Sequence, residues 1–170
     1  MSQDKPDLSA FIPPGWKGKL PPCQIQVSPE GELFHNGAPL IHPGILELIY
    51  ESVHLEEGRY VLRMGGQACE LEVADTFFVV RGIVEKDGRV ILRLNSGSEE
   101  ALEPSTLWIS EDNILYCMVK NQKFPARFLR AAYYQMAGMV KEQKGGYVLA
   151  LGGREYALPV KAGKKPSSAG

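Results

Sequence analysis

Residues 145–158 read GGYVLALGGREYAL, and residues 58–71 read GRYVLRMGGQACEL. When Gly58 is aligned on Gly145, the two stretches are identical at seven of fourteen positions. In each stretch a Gly-Gly pair separates two strand-like runs, and glycine readily adopts the positive φ angles that a two-residue hairpin turn needs. We therefore predict that the same kind of β-hairpin occurs twice in the chain.

The predicted repeat is longer than the hairpin. Each copy runs through a strand, an Asn-containing turn, a proline and an amphipathic helix before the hairpin, over residues 33–71 and 116–158. The first helix is predicted to begin at Pro43, and the second to run from Pro125 to Lys141. One such unit cannot bury its own apolar face, so two units are expected to share a core. The predicted fold class is α+β, a duplicated unit of antiparallel strands, one amphipathic helix and a Gly-Gly β-hairpin.

The composition of the chain divides it into four parts. Residues 1–22 are rich in proline and glycine and are predicted to form an extended arm, which Trp16 would hold against the body. The first unit is predicted at residues 23–75 and the second at residues 76–160. Residues 161–170 have the composition of a disordered tail.

Two dipeptides predict further hairpin turns. Asn36-Gly37 marks the first of these turns, and Asp87-Gly88 lies between two runs of β-branched residues that are typical of strands. A short strand is also predicted at residues 107–109. Antiparallel pairing is therefore expected in both units.

The overall composition is that of a globular protein, with 44% hydrophobic and 23% charged residues. No apolar run reaches the roughly 18 residues that span a bilayer, and the first ten residues lack the pattern of a signal peptide. Cys23, Cys69 and Cys117 are odd in number and far apart. We therefore expect reduced thiols in the core of a cytoplasmic protein.

The charge is distributed unevenly along the chain. Residues 1–113 contain 9 basic and 18 acidic residues, a net charge of −9, and residues 114–170 contain 10 and 2, a net charge of +8. Such asymmetry indicates either two complementary halves of one molecule or a basic face that binds an anionic partner.

Three runs resemble a known family in collinear order: EGELFHNGAPL (30–40), ILELIYESVHLEEGRYVLRM (45–64) and YCMVKNQKFPARFLRAAYYQMA (116–137). On these runs the chain resembles the bacterial domain-of-unknown-function family 1285 (DUF1285), over residues 21–158. It looks like a divergent member, since Leu33 stands where the family usually has an aromatic residue.

This resemblance implies a duplicated α+β motif whose second unit is superficially similar to pleckstrin-homology-like folds. It also implies a role near signal transduction. The surface between the two units would be the site for a nucleic-acid or protein partner. The resemblance implies no reaction mechanism.

Catalytic and metal-binding patterns are not recognisable in the sequence. His35 and His42 are seven residues apart across a turn, which is unlike the i, i+4 spacing of a helical metal pair, and neither an HExxH nor a GxSxG motif is present. A nucleophilic pair of Cys69 with a histidine is a minor alternative, because Cys69 should face the core. We therefore predict no catalytic residue, no metal and no cofactor.

The predicted second helix carries a basic stripe. At 100° per residue, three basic residues and a tyrosine cluster opposite its apolar face, and two lysines precede its start. The stripe is either a solvated outer face or a surface that binds phosphates or an acidic peptide. These candidate partner-binding residues are Lys120, Lys123, Arg127, Arg130, Tyr134 and Lys141.

Three further residues are candidates for the seam between the units. Asp75 either caps a turn or accepts a hydrogen bond from an arginine across the seam, for example Arg130. Arg63 and Arg81 lie in strands beside apolar residues and are predicted to face the same groove. A pair between Asp75 and Arg130 would make the seam a structural joint and move the partner elsewhere.

These patterns favour a non-enzymatic binding module that engages a protein partner through the inter-unit groove and the basic helix. A protein is favoured over nucleic acid because the net charge is −1 and the pI about 6.3, whereas nucleic-acid-binding domains are usually basic throughout. Nucleic-acid binding by the same helix is the first alternative. A small-ligand sensor or an enzyme that uses the groove is the second.

Overall fold

The structure is a computed structural model that describes residues 8–16 and 20–162. The predicted arm and tail therefore lie partly outside the described residues. Contacts divide the chain into two units, one that ends at Asp75 and one that begins at Thr76. The described residues form sixteen strands and two α-helices, an α+β composition dominated by sheet. Neither helix in these residues has the length and apolarity to cross a membrane.

Unit 1 contains one six-stranded sheet and one helix. The strands have the order β3-β2-β1-β6-β5-β4, and β1 pairs with β6 in parallel, whereas the other neighbours are antiparallel. The elements are β1 (Pro22–Val27), β2 (Leu33–His35), β3 (Ala38–Pro39), α1 (Pro43–Ser52), β4 (Val53–Glu56), β5 (Arg59–Met64) and β6 (Gln67–Val73).

The N-terminal arm is anchored by Leu8. Its side chain is fully buried, and its N–H donates to Oε1 of Gln67 over 2.8 Å. The ring of Phe11 meets the ring of His35 edge-on at 5.0 Å. Trp16, which was predicted to hold the arm, is 47% exposed. Leu8 is therefore the most deeply buried side chain of the arm among the described residues.

The prediction of three free thiols is wrong. Cys23 and Cys69 form a disulfide, and Cys117 is a free, buried thiol. The bond forms because β1 and β6 are paired neighbours, although 46 positions separate the two cysteines in sequence. Both cysteines lie in the core, as their alternation within the strands predicts.

Unit 2 contains two sheets, a 3₁₀ turn (Pro104–Thr106) and one helix. A seven-stranded sheet has the order β16-β10-β11-β12-β7-β8-β9, and a three-stranded sheet has the order β13-β14-β15. The elements are β7 (Phe78–Lys86), β8 (Arg89–Leu94), β9 (Glu99–Ala101), β10 (Trp108–Ser110), β11 (Leu115–Val119), β12 (Phe124–Phe128), α2 (Arg130–Ala137), β13 (Val140–Gln143), β14 (Gly146–Leu151), β15 (Arg154–Leu158) and β16 (Val160–Lys161).

The second helix is about half as long as predicted. It covers only Arg130–Ala137, while Phe124–Phe128 is a strand and Val140–Gln143 another. Alternate residues of Phe124–Phe128 are buried, and this strand pairs with β11 on one side and with β7 on the other. Pairing on both sides supplies the backbone hydrogen bonds that a helix would otherwise provide. The segment is therefore a strand, although the spacing of its apolar residues also fits a helix.

Both Gly-Gly hairpins are confirmed. Gly65-Gly66 joins β5 to β6, and Gly152-Gly153 joins β14 to β15. The surroundings of the two Gly-Gly turns differ, however. A Cβ atom on Gly65 would meet nothing within 4 Å, whereas one on Gly152 would lie 2.9 Å from the carbonyl oxygen of Gly88, in the turn between β7 and β8. Gly152 is therefore required both by its positive φ and by the close approach of a second backbone.

This difference predicts unequal effects of the same substitution. Both Gly65 and Gly152 have φ near +60°, so Gly65→Ala should cost about 1 kcal/mol from the left-handed conformation alone. Gly152→Ala adds a backbone clash and should cost about 1 kcal/mol more. Urea unfolding of both variants measures the difference. Equal losses of stability would contradict the contact between the two turns.

Candidate functional site

A pocket of about 270 Å³ opens in unit 2 between α2, the β10–β11 hairpin and the three-stranded sheet. Its floor is apolar, and its rim carries tyrosine and polar side chains. The floor residues are Ile109, Leu115, Met136, Val140 and Leu158, and the rim residues are Asn113, Tyr133, Ala137, Glu142 and Tyr147.

The register of the three-stranded sheet builds one wall of this pocket. Glu142 lies opposite Tyr147 on the neighbouring strand, and Tyr147 lies opposite Leu158 on the next. Residues that are directly opposite in a sheet point to the same face. The repeated hairpin therefore places a charged, an aromatic and an aliphatic side chain in one row.

Helix α2 supplies the other wall. It buries Ala132 and Met136 and leaves Tyr134 63% exposed. Tyr133 is half-buried at the rim, and its ring lies 5.7 Å from that of Tyr134. Three tyrosines therefore lie in or beside the opening, since Tyr147 is also 39% exposed.

The electrostatics of the pocket are simple. Glu142 is the one carboxylate among the described lining residues. It is exposed and has no hydrogen bond or ion pair with any residue that the structure describes. An apolar floor, a phenolic rim and a single negative charge suit an apolar side chain that has a basic neighbour.

The predicted basic stripe is not a stripe on one helix. Arg127 lies in β12 opposite Tyr116, and Lys141 lies in β13 opposite Val148. Only Arg130 and Tyr134 are in α2, where a separation of four residues places them on one face. The stripe was predicted from a helical period that the chain does not follow at either end of α2.

Lys120 and Lys123 lie in the turn between β11 and β12. Lys120 is held within unit 2: its N–H donates to the carboxylate of Glu100 over 3.0 Å, and its Nζ donates to Oγ of Ser98 over 3.1 Å. The same Nζ lies 5.3 Å from the ring centroid of Phe78. Because its ammonium is already engaged, Lys120 is poorly suited to bind an external anion.

The three seam residues have different surroundings. Arg63 donates from Nε and Nη2 to the two carboxylate oxygens of Glu56, over 2.6 and 2.8 Å. This hydrogen bonding lowers the pKa of the Glu56 carboxyl and raises that of Arg63. Asp75 is the last residue of unit 1, and Arg81 is exposed in β7. A groove between the units stays a prediction.

A second cavity, of about 400 Å³, lies in unit 1 beside Trp16 and the pair of strands β1 and β6. Its two carboxylates have neighbours: Glu72 accepts from Nε2 of Gln26 over 3.3 Å, and Glu70 is 3.9 Å from Arg59. This cavity therefore offers less unmatched charge than the pocket of unit 2.

His42 and the two bonded cysteines serve structural purposes. Nδ1 of His42 accepts hydrogen bonds from the backbone N–H groups of Gly44 and Ile45 at the start of α1. Cys69 is bonded to Cys23, so a nucleophilic pair with a histidine is excluded. Burial raises the pKa of the Cys117 thiol well above its usual value. In the described part of the chain, no three metal-ligating side chains come together.

Sequence reasoning missed the residues of the pocket. The alternation of Tyr147, Leu149 and Leu151 in the repeated hairpin was a usable signal, because it places these residues on one face. Ile109 and Leu115 carried no comparable signal. They reach the pocket through a fold that joins segments about 20 to 50 residues apart in sequence.

The architecture defines a two-unit α+β protein dominated by sheet. Its fold matches that of a DUF1285 family protein from Silicibacter pomeroyi, with a TM-score of 0.67 and 16% identity over 92% of this chain and 89% of that chain. It also matches a DUF1285 family protein from Shewanella baltica, with a TM-score of 0.58 and 14% identity over 67% of this chain and 90% of that one. No protein-family profile and no curated protein matches the chain. The predicted resemblance to DUF1285 is thus confirmed at the level of the fold.

Proposed function

We propose that the protein is a non-enzymatic binding module that engages a protein partner through the pocket of unit 2. The observation that carries this proposal is an apolar pocket whose rim exposes tyrosine rings. Such sites accept the anchoring side chains that dominate protein–protein affinity. The volume of about 270 Å³ lies just below the roughly 300–1,000 Å³ of small-molecule sites, and it suits one large side chain.

The charges near the pocket favour a protein over nucleic acid. Glu142 at the rim would repel phosphate groups, whereas Lys120 is engaged with Ser98 inside unit 2. The remaining candidate cations are spread over a turn, two strands and a helix. This arrangement does not support a continuous basic surface that would bind the phosphate backbone of a nucleic acid.

We also propose that the two units derive from one duplicated motif. The order strand, strand, helix, strand, strand, strand occurs in β2 to β6 with α1, and again in β11 to β15 with α2. Both copies end in a Gly-Gly hairpin. The pleckstrin-homology likeness of the second unit, the role in signal transduction and the cytoplasmic location stay predictions. The disulfide bears on the last of these, because such bonds persist mainly in oxidising compartments.

Blocking the pocket tests the proposed function. Random twelve-residue peptides displayed on phage are selected on the wild-type protein, and the enriched peptides are labelled for fluorescence anisotropy. Ala137→Phe places a phenyl ring at the opening of the pocket, because Ala137 lines the pocket from an exposed position on α2. We expect it to weaken the selected peptides at least about tenfold, as for the loss of an anchor contact.

Ala131→Phe is the matched control. Ala131 is exposed on the same helix and does not line the pocket, so this variant should bind as the wild type does. A selection without enriched peptides, or peptides that bind the wild type and Ala137→Phe equally, would reject the pocket as the binding site.

A further inference from the structure

Strand β13 (Val140–Gln143) forms an edge of the three-stranded sheet. No strand among the described residues pairs with its outer side. Its residues are exposed, except for Val140, which is half-buried. An open strand edge presents unpaired N–H and C=O groups and is a template for another extended segment.

The register shows which backbone groups face outward. The N–H of Ala150 donates to the carbonyl of Met139 over 2.9 Å, and these two residues continue the pairing of Val140 with Leu149. Opposite residues in an antiparallel pair alternate between those that exchange hydrogen bonds and those that do not. Lys141 and Gln143 therefore bond to β14, whereas Val140 and Glu142 direct their N–H and C=O groups to the open edge.

The same two residues line the pocket. Val140 contributes to its floor and Glu142 to its rim. A strand added to the edge would form hydrogen bonds with these residues, and its side chains opposite them would point to the pocket face. The open edge and the pocket thus form one continuous surface.

A second copy of this chain is a poor occupant of the edge. Two outward-facing strands pair antiparallel only when outward residues are opposite outward residues. The two symmetric registers that pair at least three residues of β13 place either Lys141 opposite Lys141 of the second copy, or Glu142 opposite Glu142. Like charges directly opposite each other are destabilising.

We propose that the partner binds as an extended segment that adds an antiparallel fourth strand to β13. Its basic residue lies opposite Glu142, its acidic residue opposite Lys141, and its large apolar side chain opposite Val140, in the pocket. This proposal rests on the proposed function and specifies the conformation and the charge order of the partner. Strand addition with one anchoring side chain is an established mode of peptide recognition.

Two peptides of identical composition test the charge order. In TTTKEFTTT, an antiparallel segment with phenylalanine opposite Val140 places lysine opposite Glu142 and glutamate opposite Lys141. TTTEKFTTT exchanges the two charges. We expect the first peptide to bind at least about fivefold more tightly, since two attractive cross-strand pairs become repulsive. Equal affinities, or no binding of TTTKEFTTT at millimolar concentration, would overturn the proposal.

Two variants at one position test the added hydrogen bonds. Glu142→Pro removes the outward N–H, which an edge strand tolerates, and Glu142→Gln removes only the charge. We expect Glu142→Pro to abolish binding of TTTKEFTTT. Glu142→Gln should retain binding and reduce the preference for TTTKEFTTT without removing it, because Lys141 still distinguishes the two peptides. In the wild type, the amide protons of Val140 and Glu142 should exchange at least about tenfold more slowly with peptide, while those of Lys141 and Gln143 stay unchanged.

The outcomes separate this proposal from the proposed function. If the phage-selected peptides are lost in Ala137→Phe but bind Glu142→Pro normally, the pocket is the binding site and the added strand is wrong. If they are insensitive to both substitutions, the proposed function itself fails. Unchanged exchange at Val140 and Glu142 in a saturated complex would also reject the added strand.

Discussion

Removal of the Cys23–Cys69 disulfide is expected to lower the free energy of unfolding by about 4 kcal/mol. The two cysteines are separated by 46 positions, and a cross-link that closes a loop of this length restricts the unfolded chain by about that amount. The bond also joins β1 to β6 in the core of unit 1. The effect should therefore appear in the unfolding of unit 1.

Urea unfolding of the wild type and of Cys23→Ala/Cys69→Ala measures this effect, with Cys117→Ala as the control that keeps the bond. Thiol labelling in denaturant gives an independent measure. Because Cys117 is the one free cysteine, unreduced protein should take up a single label and reduced protein three. Three labels without reductant would show that the bond does not form.

Asn95→Leu is expected to destabilise unit 2 by about 4 kcal/mol. The Asn95 side chain is buried, and its Oδ1 accepts from the N–H of Val79 over 2.9 Å, while its Nδ2 donates to the carbonyl of Phe77 over 3.0 Å. Leucine has nearly the same size but makes neither of these two hydrogen bonds in the core. The loss of a partner from a buried polar group costs about 1–3 kcal/mol.

Thermal or urea unfolding checks this expectation, and Ser96→Ala is a suitable control. Ser96 is the next residue in the chain and is only partly buried, where its hydroxyl pairs with that of Ser98. We expect its loss to change stability by less than about 1 kcal/mol. A loss of stability as small as that of Ser96→Ala would mean that the hydrogen bonds of the Asn95 amide do not stabilise the start of β7.

Local turn chemistry was the part of the fold that the sequence predicted well. Asn36-Gly37 and Asp87-Gly88 form hairpin turns in which all four residues have positive φ. These conformations are set by the residues themselves, so they can be read without the rest of the chain. The start of α1 at Pro43 is predictable for the same reason.

Long-range pairing was not predictable in the same way. The strand Phe124–Phe128 depends on β7, more than forty residues earlier in the chain. Nothing within the strand itself indicates this neighbour, and its phenylalanines also fit a helical period. The proximity of Cys23 and Cys69 depends likewise on the parallel pairing of β1 with β6.

In the candidate site, too, the features set by local sequence were predicted and those set by long-range pairing were not. The hairpin that carries Tyr147 and Leu158 was predicted, but its pairing with β13 was not, because residues 138–141 were assigned to the helix. Glu142 was therefore never considered at a strand edge. The candidate lysines and arginines were the residues most clearly predicted to form a site, but the fold places them in a turn, two strands and a helix.

The most direct measurement of where the partner binds is methyl NMR of the full chain during titration with a phage-selected peptide. We predict that the methyl signals of Leu115, Met136 and Leu158 in the pocket shift and saturate together. The buried methyl groups of Ile49 and Leu62 in unit 1 should stay unchanged. Saturating shifts in unit 1 with an unperturbed pocket would contradict the account.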